Sequence, residues 1–155
     1  MKSTVKHYTQ KVFIKKIYIV LSLCNILLSN DTFSIVAVDT LTGQVGSAGA
    51  SCIQGSIIIS DIHPGLGAIH TQSYWNSSNQ DNASSLMEQG YAPQEIIDWL
   101  VQNDAQNDPT IRQYGVVDLL DGGRSAAFTG GNCSDFKGHK IGETYAIQGN
   151  ILLGQ

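Results

Sequence analysis

Residues Thr32 to Cys52 read TFSIVAVDTLTGQVGSAGASC, and the fold turns on how this stretch is read. Phe33 to Val38 alternates only weakly and is apolar on both faces, the pattern of a central strand covered on two sides. Thr40, Leu41, Thr42 and Gly43 supply a short polar turn with a glycine where positive φ costs little, so the chain is expected to double back as a hairpin. The return strand, Gln44 to Cys52, contains Gly46, Ser47, Ala48, Gly49, Ala50 and Ser51 and carries almost no side-chain bulk. A backbone this bare invites close approach by a substrate or by a facing sheet.

Upstream of this stretch, Lys2, Lys6, Lys11, Lys15 and Lys16 precede an apolar run from Ile17 to Leu28, the layout of a secretory signal peptide. That run is too short for a bilayer crossing of about 20 residues, so a leader over residues 1–31 is expected rather than a stable membrane anchor, and the product is expected to be secreted or periplasmic. The cut is expected between Ser29 and Thr32. The remaining residues, 32–155, suffice for one domain. Without residues 1–31, which hold five of the nine basic groups and Asp31, four basic groups face twelve acidic ones, a formal charge near −8. Nucleic acid is thereby excluded as an expected partner, because phosphate neutralisation needs Lys and Arg.

Downstream, Ser56 to Ser60 reads as a short strand, His63-Pro64-Gly65 as a turn, Leu66 to Gln72 as a further strand and Tyr74 to Asp81 as a polar surface loop. Two helices are expected next. The first, capped by Asn79 or Asp81, runs to Gln89 before Gly90, and the second runs from Pro93 to about Asn103 with Ile96, Ile97, Leu100 and Val101 on one face. Trp99 beside that face reads as partial core. Ile111 to Leu120, a turn at Asp121-Gly122-Gly123 and Arg124 to Thr129 form a second hairpin, and Tyr145 to Leu153 is extended and apolar with a polar interruption at Gln148, Gly149 and Asn150. Ending on an apolar segment leaves a sheet face expected to lack cover, the mark of a piece of a longer domain.

The blocks TFSIVAVD, TG-x-x-G-S-A-x-A-S, His70-Thr71-Gln72, QYGVVD, SAAFTG and YAIQGNIL, in this order, resemble a bacterial and archaeal family known as domain of unknown function 1028. That family resembles the N-terminal-nucleophile hydrolases, which implies an α+β fold of four layers, an αββα sandwich, here incomplete at the C-terminus. The resemblance also implies an amide or peptide substrate. Some relatives carry a peptidoglycan-binding module, which extends the substrate expectation to cell-wall material.

In such hydrolases the first residue of the mature chain is the nucleophile and its own α-amine, with a pKa of about 8, is the base. Thr32 matches that position. Its other reading is an ordinary strand-starting threonine. No Lys or Arg lies between Thr32 and Arg112, although threonine hydrolases of this kind place a lysine after the hairpin. Ser51, His70, Gln72, Gln148 and Asn150 complete the candidate catalytic set as orienting groups, with a carboxamide oxyanion role for Gln148 and Asn150 set against a turn-forming one. Cys52 with His70 is a thiol–imidazole alternative. Pairing of Cys52 with Cys133 stays open, since two cysteines do not by themselves establish a bridge. His63 reads as a turn residue and His139 as part of a solvated loop beside Lys137 and Lys140. No metal spacing and no cofactor motif is expected. A non-catalytic binding module of the same fold, or an inactive truncated copy, is the rival expectation.

Overall fold

The computed structural model describes residues 31–154; the expected leader lies outside them except for Asp31. Two four-stranded antiparallel sheets face each other. The first has the order β2-β1-β8-β7, from β1 (Thr32–Asp39), β2 (Gln44–Ala50), β7 (Gly138–Gly142) and β8 (Tyr145–Asn150). The second has the order β3-β4-β5-β6, from β3 (Ser60–His63), β4 (Gly67–Gln72), β5 (Gln113–Asp118) and β6 (Arg124–Thr129). Helices α1 (Ser77–Glu88) and α2 (Pro93–Gln102) cover the far face of the second sheet.

The expected hairpin forms as the sequence requires. Gly43 takes φ +72°, and Asp39 Oδ1 accepts the N–H of Leu41 at 2.9 Å, so Val38 meets Val45 and Phe33 meets Ala50 across β1 and β2. The strand β1 is central within its sheet, flanked by β2 and β8. It is covered on one face only: Val36 is fully buried, whereas Phe33 on the opposite face is 52% exposed. Among the described residues no helix or strand packs on that outer face, and only the Leu152 side chain lies against it, over Gly149, which corrects the expectation of a strand covered on both sides. The described chain is thus α+β in three layers, and the fourth layer of an αββα sandwich is not among the described residues.

Four local expectations are revised. Ser56–Ile59 is a 3-10 turn rather than a strand, entered through Gly55 at φ +74°, and only Ser60–His63 pairs in the sheet. The Tyr74–Asp81 loop is shorter than expected, because Asn76, not Asn79 or Asp81, caps α1 by accepting the Asn79 N–H at 3.1 Å. His139 lies on β7 rather than in a loop, opposite Gln148 of β8. Gln148, Gly149 and Asn150 are not a turn; they continue β8 in register with Ser34, Phe33 and Thr32.

The helix ends agree with their local chemistry. Gly90 stops α1 at φ +86°, with its own N–H donated to Met87 O and that of Tyr91 to Leu86 O. Pro93 opens α2, and the Glu95 carboxylate accepts the Ala92 N–H at 2.8 Å. Ile96, Ile97 and Leu100 then pack with Leu86, Met87, Ile69, Tyr114 and Val116 into the main core, with Trp99 partly buried against it as expected.

The space between the sheets is divided. At one end Val36, Val38, Ala68, Val117 and Ala146 form a small apolar core. At the other, Thr32, Ser34, Gln72, Gln113, Gln148 and Asn150 are all buried. Register produces this division, because Thr32 pairs with Asn150, Ser34 with Gln148 and Gln72 with Gln113, so four strands bring their polar ends together.

Candidate functional site

Buried polar side chains are stabilised by hydrogen bonds, and the polar end of the sandwich supplies them through a chain of carboxamides and hydroxyls, Gln148 Oε1 alone among the network's carboxamide oxygens having no partner among the described residues. Gln148 Nε2 donates to Ser34 Oγ at 2.7 Å, Ser34 Oγ donates to Gln72 Oε1 at 2.6 Å, and Gln72 Nε2 donates to Gln113 Oε1 at 2.7 Å. Asn150 Nδ2 donates to the same Gln113 oxygen at 3.0 Å. Gln113 Nε2, with two hydrogens to give, lies within reach of three acceptors, the Gly149 and Gly138 carbonyls at 2.8 and 2.9 Å and Thr129 Oγ1 at 3.0 Å, and Thr129 Oγ1 meets His139 Nδ1 at 2.9 Å.

This network floors a cleft of about 370 Å³ at the end of the sandwich. Thr32, Ser51, Gln72 and Asn150 line it together with Cys52, and Thr32 Oγ1 lies 2.8 Å from Ser51 Oγ. Ile53, Ile58, Ile59 and Ile151 form its apolar sides, and Ser73, Tyr74 and Trp75 form the wall after β4. Thr32 is 7% exposed and its backbone nitrogen is acylated by Asp31.

Four of the six expected site residues therefore share one cleft, and two do not. Gln148 is buried deeper, packed against Gly115, where a Cβ would come within 2.2 Å of Gln148 Oε1. His70 lines a separate cavity of about 140 Å³ with Ser47, Ser56 and Ser60. Both of its ring nitrogens lack a hydrogen-bond partner among the described residues, and burial lowers its pKa to about 4, so the imidazole is neutral at pH 7. It is therefore not hydrogen-bonded to Cys52. Cys52 and Cys133 are both free; Cys133 is buried with Sγ 3.2 Å from Arg112 O, while Cys52 is exposed.

Sequence reasoning missed Ser34, Gln113, Tyr74 and Trp75. The signal for Ser34 was available, since Thr32 and Ser34 share one strand face at a two-residue spacing. That for Gln113 was not, because its role depends on pairing with Gln72. Among the described residues no three His, Cys, Asp or Glu side chains gather as a metal site requires.

A neutral, hydroxyl- and carboxamide-lined cleft between two antiparallel sheets, with helices on one outer face, defines an α+β sandwich protein with a polar interior at one end. Residues 32–155 match the family described as "Family of unknown function (DUF1028)", and the chain belongs to that family. Its structure is similar to the crystal structure of protein SPO2555 from Silicibacter pomeroyi, of the same family, with a TM-score of 0.71 and 25% sequence identity, covering 81% of this chain and 57% of that one. The chain thus spans somewhat more than half the length of that relative. No curated protein matches it.

Proposed function

We propose that this protein is a secreted amide hydrolase of the N-terminal-nucleophile type, with Thr32 as nucleophile and an amide or peptide, including peptidoglycan-derived material, as its substrate class. The observation that supports this reading is the position of the Thr32 hydroxyl in a 370 Å³ cleft, within 2.8 Å of Ser51 Oγ and beside the carboxamides of Gln72 and Asn150. Scission of the Asp31–Thr32 bond frees the α-amine. Thr32 Oγ1 then attacks the substrate carbonyl, forming a C–O bond while its proton passes to that amine. The amine returns the proton to the leaving nitrogen as the C–N bond breaks, and water hydrolyses the acyl ester. Asn150 Nδ2 uses one hydrogen on Gln113 and has a second available for the oxyanion.

Because no charged side chain lines the cleft, the freed α-amine is the base in this scheme. N-terminal sequencing of the mature protein is the direct test: a chain beginning at Thr32 is expected, and one beginning at Asn30 or Asp31 sinks the nucleophile. Turnover of an amide library should fall roughly a thousandfold in Thr32→Ala and survive in part in Thr32→Ser.

A second reading, a binding module of the same fold, is favoured by the engagement of Gln72 and Asn150 with Gln113 and by the lack of a cationic side chain beside Thr32. Ligand binding without turnover, equal in wild type and Thr32→Ala, selects it.

A further inference from the structure

The wall of the cleft formed by Ser73, Tyr74 and Trp75 is conformationally unusual. Ser73 and Tyr74 take φ +58° and +57° in succession, a left-handed conformation that is unfavourable for non-glycine residues. Such a turn persists only if its surroundings impose it. Here Arg112 Nη1 donates to the Tyr74 carbonyl, and Trp75 Nε1 donates to Gln80 Oε1, which also accepts Thr71 Oγ1 at 3.0 Å.

Arg112 is itself fixed from behind. It is 2% exposed, its Nε lies 2.8 Å from Asp104 Oδ2, and its Nη2 donates to Gln106 Oε1 at 2.7 Å. Asp104 in turn accepts from Asn79 Nδ2 at 2.6 Å, and Asn79 also donates to Tyr114 Oη at 2.9 Å. A buried ion pair thus reaches from the helix layer to a strained turn and leaves its aromatic side chains partly in solvent, Tyr74 at 65% and Trp75 at 39% exposure.

What those rings face is informative. No Asp, Glu, Lys, Arg or His lines the cleft, and Asp31 lines a shallower depression next to it. An ion entering the cleft would lose hydration and meet no charged side chain, and the freed Thr32 amine carries no charge in the form that acts as base. Aromatic faces at the rim instead favour a flat group, while Thr32, Ser51 and Asn150 offer hydrogen bonds to a neutral polar one.

We infer that the Ser73–Trp75 turn, held by Arg112, is a specificity wall that selects uncharged amides bearing a flat apolar group next to the carbonyl. The inference rests on the proposed amide chemistry for its ligand class, but it concerns binding and is read without turnover. Arg112 is a positioning residue in it, acting through the Tyr74 carbonyl.

The test uses Trp75 fluorescence in a Trp99→Phe background at a pH of about 9, where a freed α-amine is neutral and a lysine side chain is still charged, titrated with N-acetyl-L-phenylalaninamide, N-acetyl-L-glutamate and N-acetyl-L-lysinamide. The neutral aromatic amide should bind at least about tenfold more tightly than either ion. Tyr74→Ala, read by the same fluorescence, should weaken that binding, as should Trp75→Ala, followed by calorimetry. Arg112→Lys, which keeps a cation beside Asp104 but shortens the reach to Tyr74, should weaken the neutral amide with unchanged far-UV circular dichroism. Equal binding of the three probes, or full binding by both Tyr74→Ala and Trp75→Ala, overturns the inference even if Arg112→Lys fails to fold. An uncut Asp31–Thr32 bond with selective binding leaves the wall standing and removes only the hydrolase.

Discussion

His70 is neutral because it is shut between the sheets without a charge beside it, and this makes it a pH reporter for the fold. Its folded pKa, about 4, lies below the 6.5 of an exposed histidine. Between those values the unfolded chain binds the extra proton, so unfolding free energy should rise with pH across that window and level off above it. Urea denaturation from pH 4 to 7 checks this, and His70→Leu should flatten the slope. Asp104 acts in a lower window. Burial pushes its carboxyl up, but hydrogen bonds from Arg112, the Asp108 N–H, Asn79 and the Gln106 N–H hold it well below the usual carboxylate range. Its contribution is therefore present above the unfolded value of 3.8 and lost as pH falls below it. Gly115 is a third single-residue test. A Cβ there would lie 2.2 Å from Gln148 Oε1, and Gln148 is pinned to Ser34, so Gly115→Ala should cost about 1–3 kcal/mol in thermal denaturation. A cost near zero in Gly115→Ala would show that Gln148 is free to swing aside.

Elements meet here through register more than through bulk. β1, β4, β5 and β8 are each apolar at one end and polar at the other, and antiparallel pairing superposes the ends, so that a Val-Ala core and a carboxamide network share one interface. Shifting β8 by one residue would turn Gln148 and Asn150 to the outer face. Gln113, whose Oε1 accepts from Gln72 and Asn150 and whose two Nε2 hydrogens face three acceptors, is the junction of that network. Gln113→Leu leaves the partners Gln72 Nε2 and Asn150 Nδ2 unsatisfied and should destabilise the chain by about 2–4 kcal/mol, measured by chemical denaturation. On the helix side the local terms are smaller. Loss of the α1 cap in Asn76→Ala should cost about 1 kcal/mol. Breaking the buried pair in Arg112→Met should cost about 3–5 kcal/mol, because Asp104 is left charged and enclosed.

At the scale of the whole molecule the two sheets are unequal. The second is enclosed between helices and the first sheet, with every residue of β4 and β5 buried. The first presents Phe33 at 52% and Ile147 at 40% exposure on its outer face. A groove of about 380 Å³ between Phe33, Phe136, Ile147 and Leu152 continues that surface. Apolar surface of this extent should bind the dye ANS in the native state, and Phe33→Ser combined with Ile147→Ser should reduce the fluorescence without lowering far-UV circular dichroism. Unchanged fluorescence would place the dye elsewhere.

The sequence by itself determined what depends on neighbours along the chain. Gly43 sets the first hairpin, Gly90 and Pro93 divide the helices, and the spacing of Ile96, Ile97 and Leu100 marks the buried face of α2. Thr32, Ser51, Gln72 and Asn150 could be nominated from their blocks, and they do share a cleft. Tertiary structure decided the remainder. Gln148-Gly149-Asn150 has the composition of a turn, yet it stays extended because it pairs with β1 and its carboxamides find partners on β1 and β5. His70 and Thr32 stand on blocks that look equally polar, but β4 carries one to a small separate cavity while β1 carries the other to the larger cleft. Local propensity ranges over a few residues, whereas a buried polar group takes its role from whichever strand lies opposite, and that is settled only when the sheets pair and stack.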